Sequence, residues 1–79
     1  MSEKRAATRY RVFKQGMLAF GGGSVDCTVR NISSTGARVD NVNPIGLPPS
    51  FILAIKSDAF LRRCHPVWIK DRQMGVEFH

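Results

Sequence analysis

A small six-stranded antiparallel β-barrel, all-β with little or no helix, is the fold this sequence predicts, and three observations predict it. Apolar residues recur at close to every second position almost throughout, no apolar stripe of helical period runs through any segment, and short breaker-rich stretches separate the alternating runs. Short strands with tight connections would leave exposed edges in an open sheet, and closing the sheet removes them.

The elements follow in order. Residues 11–20 are expected to form the first strand. From Val25 to Val29 the apolar set Val25, Cys27 and Val29 alternates with Asp26, Thr28 and Arg30, the pattern of a strand with one buried face. Ala37 and Val39 repeat the pattern against Arg38 and Asp40. Phe51, Leu53 and Ile55 mark the next run, residues 64–69 another, and Met74, Val76 and Phe78 the last. The Gly21-Gly22-Gly23-Ser24 stretch suits a flexible hairpin loop. Residues 41–50, with Pro44, Gly46, Pro48 and Pro49, form a breaker-rich connection with room for one helical or 3₁₀ turn. Asp58-Ala59 and residues 70–73 supply the remaining turns. Pro66 cannot donate a ladder hydrogen bond, so its strand is at an edge or bulges there.

At 79 residues the chain is expected to be one domain, with a flexible basic arm at 1–10 and the barrel at 11–79. The hydrophobic share of 43% is that of a folded domain. The longest apolar run, residues 51–55, is far shorter than the about 20 residues that cross a bilayer, and no secretion signal pattern opens the chain. The expectation is a cytoplasmic protein without membrane insertion.

Charge points to anionic partners. Twelve basic residues against 6 acidic ones give +6, and Lys4, Arg5, Arg9, Arg11 and Lys14 crowd the start of the chain against Glu3 alone. Cys27 and Cys64 are too few and too far apart for a metal knuckle, and no Cys-x-x-Cys or His-x-x-x-His spacing supplies further ligands. Both thiols read as small core hydrophobes. Cys64 and His65 point to opposite faces of a strand, which is poor geometry for proton transfer. With no carboxylate pair, metal set or nucleophile triad, the chain reads as a binding module that is not an enzyme and needs no cofactor. Trp68 reads as core or rim packing. The phenylalanines at 13, 20, 51, 60 and 78 are spread over separate segments, without the paired aromatics on which single-stranded RNA stacks.

Two short patterns carry chemistry. Arg5-Ala-Ala-Thr-Arg9 offers two permanently charged planar forks, suited to a phosphate or to the O6/N7 edge of guanine. Asn31-Ile-Ser-Ser-Thr-Gly36 offers short polar groups for the other edge of the base. Alone, the second pattern is also fully explained as a turn, with Asn and Ser side chains bonding the backbone and Gly36 in a conformation closed to other residues.

Taken together the two patterns resemble the PilZ family, whose members carry Arg-x-x-x-Arg near the start of a six-stranded barrel and Asp/Asn-x-Ser-x-x-Gly between the second and third strands. Val29-Arg-Asn-Ile-Ser-Ser-Thr-Gly-Ala-Arg-Val39 and Met74-Gly-Val-Glu-Phe78 are similar to PilZ strands as well. Many PilZ domains have Asp where this chain has Asn31, and many continue into a C-terminal helix, for which no residues follow His79. The resemblance implies a bacterial receptor for the second messenger cyclic di-GMP, with Arg5, Arg9, Asn31, Ser33 and Gly36 as ligand-binding residues and Lys4, Arg11 and Arg38 as further candidates. Because the arm's like charges repel and its apolar content is slight, the ligand is expected to order it and so signal to a downstream protein partner. Two alternatives stay open: a basic barrel that binds nucleic acid, which the dispersed aromatics disfavour, and a PilZ-like adaptor without nucleotide binding.

Overall fold

The computed structural model describes residues 10–79. It contains β1 (Tyr10–Phe20), β2 (Gly23–Ile32), β3 (Gly36–Asp40), β4 (Phe51–Ile55), β5 (Phe60–Lys70) and β6 (Gln73–Phe78), with one 3₁₀ turn, Lys56–Asp58, between β4 and β5. The strands close into an antiparallel barrel in the order β1-β2-β3-β6-β5-β4, and β4 pairs back onto β1. The expected fold class is therefore the observed one.

Alternation explains the core. Leu18, Cys27, Val29, Val39, Phe51, Leu53, Ile55, Cys64 and Met74 point inward and are almost wholly buried. Each large aliphatic or aromatic side chain among them contributes about 1.5–3 kcal/mol relative to exposure. Val42, from the connection between β3 and β4, joins the same cluster and plugs the interior. Both cysteines are core residues, as expected. His65 turns instead toward His79, its Nδ1 lying 2.7 Å from Nε2 of that ring.

Three elements run differently from the sequence expectation. β5 begins at Phe60 rather than at residue 64, because residues 60–63 pair along the length of β4, from Ile55 back to Ile52, although they lack an alternating apolar pattern. β2 begins at Gly23 and reaches Ile32, because the ladder with β1 starts directly beyond Gly21-Gly22 and persists past the last apolar alternating residue, Val29. The 3₁₀ turn lies at Lys56–Asp58, and none forms in residues 41–50. Pro48 and Pro49 remove donors that a helical turn would need. That connection instead closes one tight turn, with Leu47 N donating to Pro44 O at 3.3 Å. The 3₁₀ turn is ended by Ala59 in the left-handed region (φ 52°), whose N–H returns to Lys56 O. It is tied to β1 by Lys14 Nζ, 2.8 Å from Asp58 Oδ1, and this hydrogen bond holds the Asp58 carboxyl below the usual carboxylate range.

At Pro66 both halves of the expectation hold. The β4–β5 ladder ends at the Phe51–Cys64 pair, and β5 bulges against β6 between Pro66 and Trp68. His79 N donates to Arg63 O at 2.9 Å. Strand alternation then turns the nitrogen of Pro66 away from β6, toward the side that β4 does not reach. The missing donor costs the ladder nothing. Trp68 is a rim residue, 44% exposed, with its ring lying over Gly75. Among the described residues no helix is long and apolar enough to cross a membrane.

Candidate functional site

The Asn31 to Gly36 pattern joins β2 to β3, and Ser33 is its hub. Ser33 Oγ accepts from the backbone N–H of Thr35 and of Gly36, each at 3.2 Å, and lies 3.3 Å from Gly36 O and from Thr35 Oγ1. A hydroxyl has one proton and two lone pairs, so these contacts use its capacity. Ser33 is only 9% exposed. Its place is therefore inside the turn, shaping it.

Gly36 departs from the expectation. Among the described residues the glycines with positive φ are Gly23 and Gly46, so Gly36 adopts no conformation reserved for glycine. The reason for glycine there is clearance: a Cβ would run into the carbonyl oxygen of Val76 on β6 and lie 3.4 Å from Glu77 Cα. β6 seals the turn further, since Phe78 N donates to Thr35 O at 2.8 Å. On the other flank Tyr10 pairs with Ile32. Both ends of the described chain thus border this one turn.

Asn31 stands between two arginines, paired with Arg11 on β1 and Arg38 on β3. Register irregularities fall beside it on both ladders, between Arg11 and Lys14 and between Val29 and Asn31. Such bulges re-aim side chains. The result is a polar concavity of about 270 Å³ lined by Arg11, Val12, Arg30, Asn31 and Arg38. Asn31, Arg11 and Arg38 are brought together there, whereas Ser33 and Gly36 support it from the turn. Arg5, Arg9 and Lys4 lie outside the described residues. A larger concavity, about 550 Å³ and flanked by Met17, Asp26 and Ala54, contains none of the motif residues.

Arg30 is the residue that sequence reasoning missed. Its Nη1 donates to Asp40 Oδ2 at 3.2 Å, and its guanidinium carbon lies 5.3 Å from the centroid of the Phe13 ring. Arg38 Nε lies 3.5 Å from the other oxygen of Asp40. The signal was present in part: Arg30 directly precedes Asn31 in the motif, and Phe13 is a large apolar residue left 78% exposed. Arg11, Arg30 and Arg38 line the concavity and Asp40 pairs with only two of them, so it is electropositive and presents donor forks suited to phosphate or to the O6/N7 edge of guanine.

Among the described residues no group of three or more His, Cys, Asp or Glu side chains could hold a metal ion. Burial pushes the Cys27 thiol up to about 12 and the Cys64 thiol up to about 11, so neither is a thiolate at neutral pH.

A family model for the PilZ domain matches residues 3–79. The chain belongs to the PilZ domain family. No curated protein matches it. PilZ is a family of cyclic di-GMP receptor domains, binding modules rather than catalysts, and some of its proteins lack binding. The matched span takes in both arginines of the first motif, the turn between β2 and β3, and every residue that lines the polar concavity of this PilZ domain.

Proposed function

We propose that this PilZ domain is a receptor that binds cyclic di-GMP where β1, β2 and β3 meet. The observation that carries the reading is the concavity in which Asn31 lies between Arg11 and Arg38, beside the Ser33-centred turn. Arg5 and Arg9 of the first motif complete the site, since β1 carries the preceding chain to Ile32 at the edge of that turn. Each arginine fork takes a phosphodiester or a guanine O6/N7 edge, and Asn31 Oδ1 accepts from guanine N1 and N2. At about 270 Å³ the concavity is below the ~300–1,000 Å³ of pockets that enclose a whole drug-sized ligand. It therefore takes one part of the dinucleotide, and the arm at 1–10 covers the rest. Lys4 adds attraction from within the arm. Signalling follows from that division of labour: binding fixes the arm against the barrel at 11–79 and changes the surface offered to a downstream protein.

Calorimetric titration with cyclic di-GMP, with GTP and a short RNA as comparisons, tests the reading. Cyclic di-GMP binds most tightly if it is correct, and equal binding of RNA at physiological salt makes the domain a basic nucleic-acid binder instead. Arg5→Ala and Arg9→Ala each weaken binding by about 1–3 kcal/mol, roughly 5- to 150-fold. Arg62→Ala and Lys70→Ala, which remove equal charge elsewhere, have little effect. Amide hydrogen exchange in residues 1–10 slows when ligand is added, and exchange that ligand does not change removes the arm from the mechanism.

A further inference from the structure

We infer that Asp40, outside both motifs, is a positioning residue that sets Arg30 and Arg38 side by side, and that Arg30, backed by Phe13, is a ligand-binding residue whose open face takes a stacked guanine. The inference rests on the cyclic di-GMP reading and assigns that site a residue the motifs do not contain.

The geometry is that of a clamp. Asp40 is on β3, its side chain only 13% exposed, and each of its oxygens faces a different arginine. Oδ2 accepts from Arg30 Nη1 at 3.2 Å, whereas Oδ1 stands 3.5 Å from Arg38 Nε. That second contact is an ion pair beyond good hydrogen-bond geometry, and both of its atoms are buried with no other hydrogen-bond partner. Two guanidinium groups so close repel each other, and both side chains are long and rotatable. Without a shared carboxylate they would splay apart; with it they are held in place before a ligand arrives.

Phe13 lies beneath Arg30. The guanidinium lies 5.3 Å from the ring centroid, and Phe13 is otherwise exposed. A large apolar ring held at the surface under an arginine is a stacking base rather than a core residue. A guanidinium covered on one face by an aromatic ring can stack a purine on the other, and Arg30 lines the concavity together with Asn31. Asp40 also lowers the net positive charge there, which weakens the attraction for small anions of any kind. Its contribution is therefore to selectivity, and selectivity is what the experiment reads.

The full-length chain is titrated by calorimetry with cyclic di-GMP and, separately, with inorganic pyrophosphate at one ionic strength, as wild type, Arg30→Lys, Phe13→Leu and Asp40→Asn, with melting temperature recorded for each. Arg30→Lys keeps the charge and loses the plane, so cyclic di-GMP affinity falls by about 5-fold or more, the low end of a stacked-base contribution, while pyrophosphate affinity barely changes. Phe13→Leu behaves likewise. Asp40→Asn weakens cyclic di-GMP and tightens pyrophosphate, so the ratio of the two affinities drops. If Asp40→Asn tightens both ligands alike, Asp40 is only a counter-charge and the clamp is overturned. If Arg30→Lys and Phe13→Leu bind cyclic di-GMP as the wild type does, the stacking face is overturned, and this arm stands even where Asp40→Asn does not fold. A wild-type chain that binds pyrophosphate but not cyclic di-GMP overturns the receptor reading and the inference with it. Wild-type binding with unchanged selectivity in every variant overturns the inference alone.

Discussion

Ser33 and Gly36 sit in one turn for different reasons, and their substitutions separate those reasons. Ser33→Ala removes the acceptor for two backbone N–H groups, of which that of Gly36 is buried, and costs about 1–3 kcal/mol in a urea titration. Gly36→Ala brings the first side-chain carbon against the carbonyl of Val76, which belongs to a paired strand and cannot yield. The cost is about 1–3 kcal/mol. A melting temperature for Gly36→Ala equal to that of the wild type would refute the clearance argument. Gly75→Ala is the contrast, because its new carbon meets the half-exposed Trp68 ring, which can swing outward. There the expected result is a small loss of stability and a red shift in tryptophan emission. The motif residues themselves were legible in the chain, as residue types at a spacing. What Gly36 is for was not, since the obstacle is a carbonyl on β6, brought near only by strand pairing. The roles of Arg30 and Asp40 were hidden likewise: a bulge re-aims the one, and the other is visible in the sequence only as the polar partner of Val39.

Among the elements, strands were the most readable because each has one buried face and therefore a period of two. Alternation fails as a guide where a bulge interrupts it, so the sequence pattern does not mark the end of β2 beyond Val29. The 3₁₀ turn at Lys56–Asp58 is hidden from the sequence for a related reason. Its anchor is Lys14 on β1, a contact between residues far apart in sequence that no local pattern encodes. Pro66 was read correctly from chemistry alone, since a residue without an N–H belongs where no strand asks for one. Pro66→Val supplies that N–H on the side of β5 left unpaired by β4. Stability is expected to stay within ~0.5 kcal/mol of the wild type, while light scattering detects more self-association at high concentration, because an open edge gains a donor. A loss of several kcal/mol would show that the ring of Pro66 packs for stability instead.

For the molecule as a whole, closure was inferred from the cost of open edges, and it depends on β4, five residues long and paired on both sides. The buried thiols make stability depend on pH. In the unfolded chain they ionise near the ordinary value of 9.0, whereas in the barrel they stay protonated to about 12 for Cys27 and about 11 for Cys64. Above pH 9.0 the unfolded state holds fewer protons than the native one, so stability falls as pH rises, by at most about 1.4 kcal/mol per pH unit for each thiol. Urea midpoints at pH 8, 9 and 10 measure the slope, and the Cys27→Ala, Cys64→Ala double variant, though less stable throughout, should lose that part of it. The border shared by Tyr10 and Phe78 at the turn between β2 and β3 has a mechanical corollary. The barrel is a ring of chain in which Tyr10 and Phe78 are stitched to the same spot. A pull on Tyr10 loads the border of that turn directly, and a pull on His79 loads its bond to Arg63 and then the Phe78 contact with Thr35, so a pair of fluorophores at residues 10 and 79 would report on the turn. A reader module joined to either end would feel a change in the turn directly, with no lever reaching across the barrel.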